Sequence, residues 1–143
     1  MPTAGYEICA KLRTMQINLA SVFVTDQQQA LDFYTNILGF EVKHNIDMGE
    51  HAWMTVTAPG DPDGTELLLE PAAHPAVGPY RDALRADGIP MAQFAVDDVA
   101  AEHERLAALG VEFTVEPMDV GTAIMAVFDD TCGNYITIVA QKS

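Results

Sequence analysis

Basic residues are scarce in this chain of 143 residues, which carries 7 lysines and arginines against 21 aspartates and glutamates. The resulting formal charge of −14 at pH 7 repels phosphate backbones, so the composition argues against a nucleic-acid partner. The same charge would attract cationic ligands, although a surface that serves only solubility would carry it equally well.

Cysteines and long apolar runs are also scarce. Cys9 and Cys132 have neither a metal-binding nor a redox spacing, and they imply no disulfide framework. No apolar run approaches the roughly 20 residues that a membrane-spanning helix needs. Residues 1–14 lack the apolar core of a secretory signal. We therefore expect a cytoplasmic protein with no membrane partner, and we treat residues 1–14 as an N-terminal extension.

The common catalytic signatures are missing as well. The chain contains no G-x-G-x-x-G, no P-loop and no H-E-x-x-H pattern. Cys132 has no histidine near it in sequence that could act as its base. The catalytic residues, if there are any, are therefore unknown from the sequence.

What the chain does contain is an internal repeat. Three landmarks recur in the same order, at offsets of about 72, 71 and 69 positions, and the shrinking offset indicates small deletions in loops. The pairs are Val24-Thr25-Asp26 with Val96-Asp97-Asp98, Leu38-Gly39-Phe40 with Leu109-Gly110-Val111, and Asp61-Pro62-Asp63-Gly64 with Asp130-Thr131-Cys132-Gly133.

Each copy has the pattern of a βαβββ unit. We predict an α+β fold with a single domain at 15–143, made of units at 15–70 and 91–140 that are joined by a linker at 71–90. The expected strands are 15–24, 40–46, 52–58, 66–70, 91–96, 112–116, 123–129 and 135–140. Helices are expected after Asp26, at Tyr80–Ala86 in the linker and at Val99–Leu109.

Four motifs together resemble the glyoxalase/bleomycin-resistance family, which is the vicinal oxygen chelate superfamily. They are a strand ending in V-x-D, a helix with A-x-x-F-Y, a return of L-G-F and a closing D-x-x-G-N before the last strand. The likeness extends from about Met15 to Val139.

The resemblance implies two units whose curved sheets enclose a cleft, commonly in a homodimer. The family includes metal-dependent isomerases, dioxygenases, epimerases and thiol transferases, and also antibiotic-sequestering proteins that use no metal. The fold therefore leaves the activity open. If the chain is an enzyme, the resemblance implies a glyoxalase-like lyase or a ring-cleaving dioxygenase.

The family's metal ligands lie on the first and last strands of each unit. The matching positions in this chain hold Leu19, Leu68, Met91 and Thr137. Two leucines cannot ligate an ion, a thioether suits only soft metals, and one neutral hydroxyl is a weak donor. We therefore expect the usual metal site to be absent, and we predict no cofactor.

An alternative hypothesis uses a rearranged metal site. Glu66 shares a strand face with Leu68, because side chains alternate along a strand, although Glu66 could also lie on the rim of the sheet. His44 and His51 flank the turn after the second strand and could approach Glu66. A divalent metal held there would support a lyase, isomerase or dioxygenase.

Strand alternation also identifies the residues that we expect to line the cleft. Together with the bulky Leu19, Leu68 and Met91, these residues form a largely apolar wall with a few polar groups, which suits an organic ligand, although side chains alone could fill the space. We predict a protein that binds a small molecule without a metal, and an interaction module without a ligand is a further hypothesis. The expected lining residues are Ser21, Glu66, Gln93, Tyr135 and Thr137, with Trp53 or Met54 from the third strand.

Overall fold

The computed structural model describes residues 15–142, and the predicted extension at 1–14 lies outside them. Two four-stranded mixed sheets and three helices form the expected α+β architecture. The first unit consists of β1 (Leu19–Val24), α1 (Gln27–Asp32, continued by a π-helical turn over Phe33–Ile37), β2 (Glu41–Asp47), β3 (Ala52–Thr57) and β4 (Glu66–Pro71). After α2 (Val77–Ala86) in the linker, the second unit consists of β5 (Ala92–Ala95), α3 (Val99–Ala108), β6 (Phe113–Asp119), β7 (Ala123–Asp129) and β8 (Tyr135–Gln141).

The two sheets share one topology. Sheet one has the order β1-β4-β3-β2, and sheet two has the order β5-β8-β7-β6. In each sheet the first strand is parallel to the last, and the remaining pairs are antiparallel. This correspondence confirms the repeat that the sequence predicted.

The predicted first strand at 15–24 was too long, because β1 begins only at Leu19. Its partner β4 starts at Glu66, which pairs with Leu19, so the residues before Leu19 have no strand beside them. Met15 and Ile17 are 96% and 79% exposed.

The two unit helices begin in the same way. Asp26 and Asp98 are N-caps whose carboxylates accept hydrogen bonds from the amides of Gln29 and Ala101. Gly39 follows its cap by 13 positions, whereas Gly110 follows its cap by 12. Because a π-helical turn accommodates one additional residue, the π turn in α1 accounts for this difference.

A common hydrophobic core joins the units on the helix side of both sheets. The Phe33 ring lies 6.2 Å from Phe128 of β7, and the Tyr34 ring lies 6.3 Å from Phe94 of β5. Helix α1 of the first unit therefore packs against the sheet of the second unit.

Two of the sequence motifs meet across this core. The Tyr34 hydroxyl, from A-x-x-F-Y, donates a 2.6 Å hydrogen bond to Asp130 of D-x-x-G-N. Asp130 is fully buried and also accepts bonds from the amides of Cys132 and Asn134 and from the Asn134 side chain. The Asn134 side chain donates in addition to the Phe23 carbonyl at 2.8 Å. These motifs stabilise the contact between the units.

Within residues 15–142, no helix is long and apolar enough to cross a membrane.

Candidate functional site on the outer sheet faces

The predicted lining residues other than Met54 point away from the shared core. In the strands that contribute to the core, the core residues alternate with residues on the opposite side of the sheet, which we call the outer face. Met54 belongs to the core and is 4% exposed, so Trp53 is the β3 residue on the outer face. The structure thus places Ser21, Trp53 and Glu66 on sheet one, and Gln93, Tyr135 and Thr137 on sheet two.

A row of four directly paired residues crosses the outer face of sheet one. It runs through Ser21, Leu68, Thr55 and His44. Leu68 and Thr55 are buried at its centre, with 7% and 0% of their surface exposed. Leu19, which pairs with Glu66, lies on one side of the row, and Trp53 lies on the other. Because both of these apolar residues are 38% exposed, this face offers apolar surface to a ligand.

Polar groups on this face converge at Glu66. The Thr55 hydroxyl donates a 2.7 Å hydrogen bond to Glu66 Oε1, and His44 Nε2 lies 3.8 Å from the same oxygen. The β-bulge between Val42 and His44 sets the register that brings His44 opposite Thr55. His51 lies elsewhere and lines a separate cavity of about 320 Å³ with Thr25–Gln28.

The corresponding row on sheet two is less polar. Gln93 pairs with Thr137, Thr137 with Val127, and Val127 with Val115. Valines therefore replace the Thr55 and His44 of sheet one.

Linker helix α2 covers one end of the outer face of sheet two. Its Arg85 lies over the Tyr135 ring, 4.4 Å from the centroid, and bonds Asp129 at 2.7 Å. The hydrogen bond that Arg85 donates to Asp129 raises the pKa of the Arg85 guanidinium, which stays cationic.

The four positions that the family resemblance assigns to metal ligands carry few donor atoms. Leu68 and Thr137 are structurally equivalent, because each pairs with the first strand of its unit, Leu68 with Ser21 and Thr137 with Gln93. Leu19 and Met91 lie two residues before Ser21 and Gln93. Together they provide one hydroxyl and one thioether, which is not a donor set for Zn²⁺, Mn²⁺ or Fe²⁺. Across residues 15–142, no group of three or more His, Cys, Asp or Glu side chains is placed to hold an ion. His44 and Glu66 form a pair of donors and no more.

Cys132 is buried in the turn before β8. Desolvation raises the pKa of its thiol to about 12, with the neighbouring Asp130 adding to the effect. A thiol that stays protonated is a poor nucleophile. Cys132 therefore packs in the turn and is not poised for catalysis.

Sequence reasoning missed two contributors to these faces. Thr55 is a β-branched residue in a buried strand, and only the cross-strand register reveals its bond to Glu66, 11 positions away. Arg85 lies in the linker, 44 positions before Asp129, and no local pattern signals that contact.

Comparison with known proteins fits this architecture. The family model described as Glyoxalase/Bleomycin resistance protein/Dioxygenase superfamily matches residues 16–138. The uncharacterized protein YurT of Bacillus subtilis (strain 168) is 50% identical over 127 residues, which span 89% of this chain and all of YurT.

Two solved structures are also similar. UcmS2 superposes with a TM-score of 0.77 at 30% identity, covering 88% of this chain and 98% of its own. TnmS3, described as an antibiotic binding protein from Streptomyces sp. CB03234, gives 0.72 at 26% identity, covering 91% and 98%. With both units, their motifs and these matches in agreement, the chain belongs to the glyoxalase/bleomycin resistance protein/dioxygenase superfamily.

Proposed function

We propose that this protein binds a small organic molecule on the outer face of sheet one without a metal ion. The observation that carries the proposal is the composition of that face. It combines exposed Leu19 and Trp53 with a carboxylate, Glu66, whose Oε1 is fixed by Thr55. Apolar surface beside a few oriented polar groups is typical of small-molecule sites.

The ligand that suits this face has an apolar or aromatic body and a donor group. Trp53 offers an indole for stacking, and Glu66 accepts hydrogen bonds from a hydroxyl or an amine. The chain's net charge of −14 favours cationic members of this class. The similarity to TnmS3, an antibiotic binding protein, supports the choice of antibiotics as the first compounds to test.

A thermal-shift screen against aromatic and cationic antibiotics, with EDTA present, tests the proposal. A ligand at about 100 times its dissociation constant adds about 2.7 kcal/mol of stability, which is a readily measured shift. Glu66→Gln should reduce the shift, whereas the matched variant Glu104→Gln, on an exposed part of α3, should leave it unchanged. Absence of any stabilisation across the panel would contradict the proposal.

One observation favours a second function. His44 and Glu66 are close enough to contribute two ligands to a divalent ion. A lyase, isomerase or dioxygenase built on this pair requires stoichiometric metal in the purified protein and loses it in Glu66→Gln. Elemental analysis that finds less than one metal ion per site, also after incubation with Zn²⁺, Ni²⁺, Mn²⁺ or Fe²⁺, removes this function.

The proposal includes a homodimer, on the strength of the family resemblance. Leu19 and Trp53 on the outer face of sheet one are partly exposed in a single chain, and a second copy would enclose a ligand placed on them. Light scattering should give about twice the chain mass of 15.5 kDa, and a mass near 15.5 kDa would contradict the dimer.

A further inference from the structure

A cavity of about 620 Å³ lies at the free edge of β5, where the first unit meets helix α3. Its volume is within the range of about 300–1,000 Å³ that is typical of small-molecule pockets. The wall is apolar at its base and acidic at its rim. The lining residues include Phe40 and Phe94 at the base, together with Ala95, Asp97, Ala101 and Glu102.

Because the chain contains a repeat, the first unit has residues that correspond to those lining this cavity and can be compared with them. Because Asp26 and Asp98 cap their helices through the same bond, the residues before them correspond one to one. Thr25 of the first unit therefore corresponds to Asp97, and Phe23 corresponds to Ala95.

In the first unit, a guanidinium occupies these positions. Arg81 of α2 donates from Nη1 to the Phe23 carbonyl at 3.1 Å and from Nη2 to the Thr25 hydroxyl at 2.8 Å. The same Nη1 donates to the Cys132 carbonyl at 3.2 Å. The chain itself thus shows that a planar cation fits this arrangement of acceptors.

In the second unit the corresponding positions border the cavity instead. Among residues 15–142, helix α2 has no counterpart beside the second unit, and no basic side chain forms an ion pair with Asp97. Asp97 has a full carboxylate where Thr25 has a hydroxyl, so the acceptor is stronger. Arg105, on the same rim, is engaged by Glu102 at 2.9 Å and by the Ile37 carbonyl at 2.9 Å.

We propose that this cavity is a second binding site, separate from the outer face of sheet one, for an organic cation with a guanidinium or amine head on an apolar body. The head takes the place that Arg81 occupies in the first unit, against the Asp97 carboxylate and the Ala95 carbonyl. The body lies on Phe40 and Phe94, whose rings meet edge to face with centroids 5.2 Å apart.

Two matched probes test the role of charge. 4-Phenylbutylguanidine carries the cationic head, and 4-phenylbutylurea has nearly the same shape without the charge. We expect the guanidine to shift the backbone amide NMR signals of Phe40, Asp97 and Ala101, and to bind at least about fivefold more tightly than the urea. Equal affinity for the two compounds would overturn the proposal.

Variants locate the site. Asp97→Asn should weaken guanidine binding by at least about fivefold, and Ala101→Trp should abolish it by filling the cavity. The control Asp87→Asn, an exposed aspartate at the end of α2, should leave binding unchanged. Circular dichroism checks that each variant is folded, and binding by a folded Ala101→Trp that matches the unmodified protein would overturn the assignment.

The indole N–H signal of Trp53 distinguishes the two sites, because Trp53 is the chain's one tryptophan. Guanidine binding in the cavity leaves this signal in place. If the guanidine moves the Trp53 signal while the Asp97 signal stays fixed, the cation belongs to the outer face, and the proposal for the cavity fails while the proposed function stands.

Discussion

The turns that close the two units have similar sequences and different roles. The second turn, five residues between β7 and β8, buries Asp130 completely and gives its carboxylate four hydrogen bonds. The first turn is eight residues long, and its matching Asp61 is exposed. The three additional residues account for the smaller offset of the repeat at this point. A shared D-x-x-G pattern therefore does not imply a shared role.

The outer faces of the two sheets also differ, but here it is the first unit that carries more polar side chains. Sheet one places Thr55, His44 and Glu66 together, where sheet two has valines and Tyr135. Sheet two is further covered at one end by Arg85. We infer that the second unit contributes most to holding the fold together, whereas the first unit carries the outer face on which we propose that a ligand binds.

The largest expected effect is at Asp130. Asp130→Ala removes four hydrogen bonds and leaves the buried Tyr34 hydroxyl and the backbone amides of Cys132 and Asn134 without partners, so it should cost about 3–5 kcal/mol of unfolding free energy. Asp61→Ala, its match in the repeat, should change stability by less than about 0.5 kcal/mol. Urea unfolding measures both, and similar losses in the two variants would break the comparison between the turns.

The next largest loss of stability is expected from a substitution of Arg81. Arg81 of α2 lies at the junction of the units, where it bonds Phe23 and Thr25 of the first unit and Cys132 of the second. Arg81→Met removes these three hydrogen bonds while keeping most of the apolar stem, and it should lower the unfolding free energy by about 1–3 kcal/mol. Lys142→Met loses only an exposed ion pair with Asp119 and should leave the unfolding free energy nearly unchanged. A smaller loss for Arg81→Met than for Lys142→Met would contradict the role of this junction.

Alkaline pH should weaken the second turn specifically. Burial raises the pKa of the Cys132 thiol from 9.0 to about 12, and burial raises the pKa of the Tyr34 phenol well above 10.0. The unfolded chain therefore releases these protons at lower pH than the folded chain does. Stability is fully present below about pH 9 and falls as the pH rises through the folded values.

Unfolding midpoints measured from pH 7.5 to 10.5 follow this loss. The decline above pH 9 should be less steep in Cys132→Ala than in the unmodified protein, whatever its stability at pH 7.5. Parallel curves would show that Cys132 does not contribute.

The smallest effect on stability is expected at the proposed site. Glu66→Gln keeps an oxygen that can accept from Thr55, so the unfolding free energy should change by less than about 0.5 kcal/mol. Ligand binding should weaken in the same variant. A large loss of stability in Glu66→Gln would mean that Glu66 supports the fold and does not serve a ligand.

The sequence predicted the features that local patterns encode. The repeat, the order of the elements and the alternation that puts Glu66 and Leu68 on one face all follow from short-range spacing. It did not predict contacts made across the fold. The start of β1 depends on where β4 begins. Arg81 bonds three residues that each lie 51 or more positions from it in the sequence.

The fluorescence of Trp53 tests the central claim most directly, because the chain's one tryptophan lies on the outer face of sheet one. Titration with a compound selected in the thermal-shift screen should change its emission in a saturable way, with the same dissociation constant in the presence and absence of EDTA. Binding that disappears with EDTA and returns with added Zn²⁺ or Mn²⁺ would contradict the claim that this face binds its ligand without a metal.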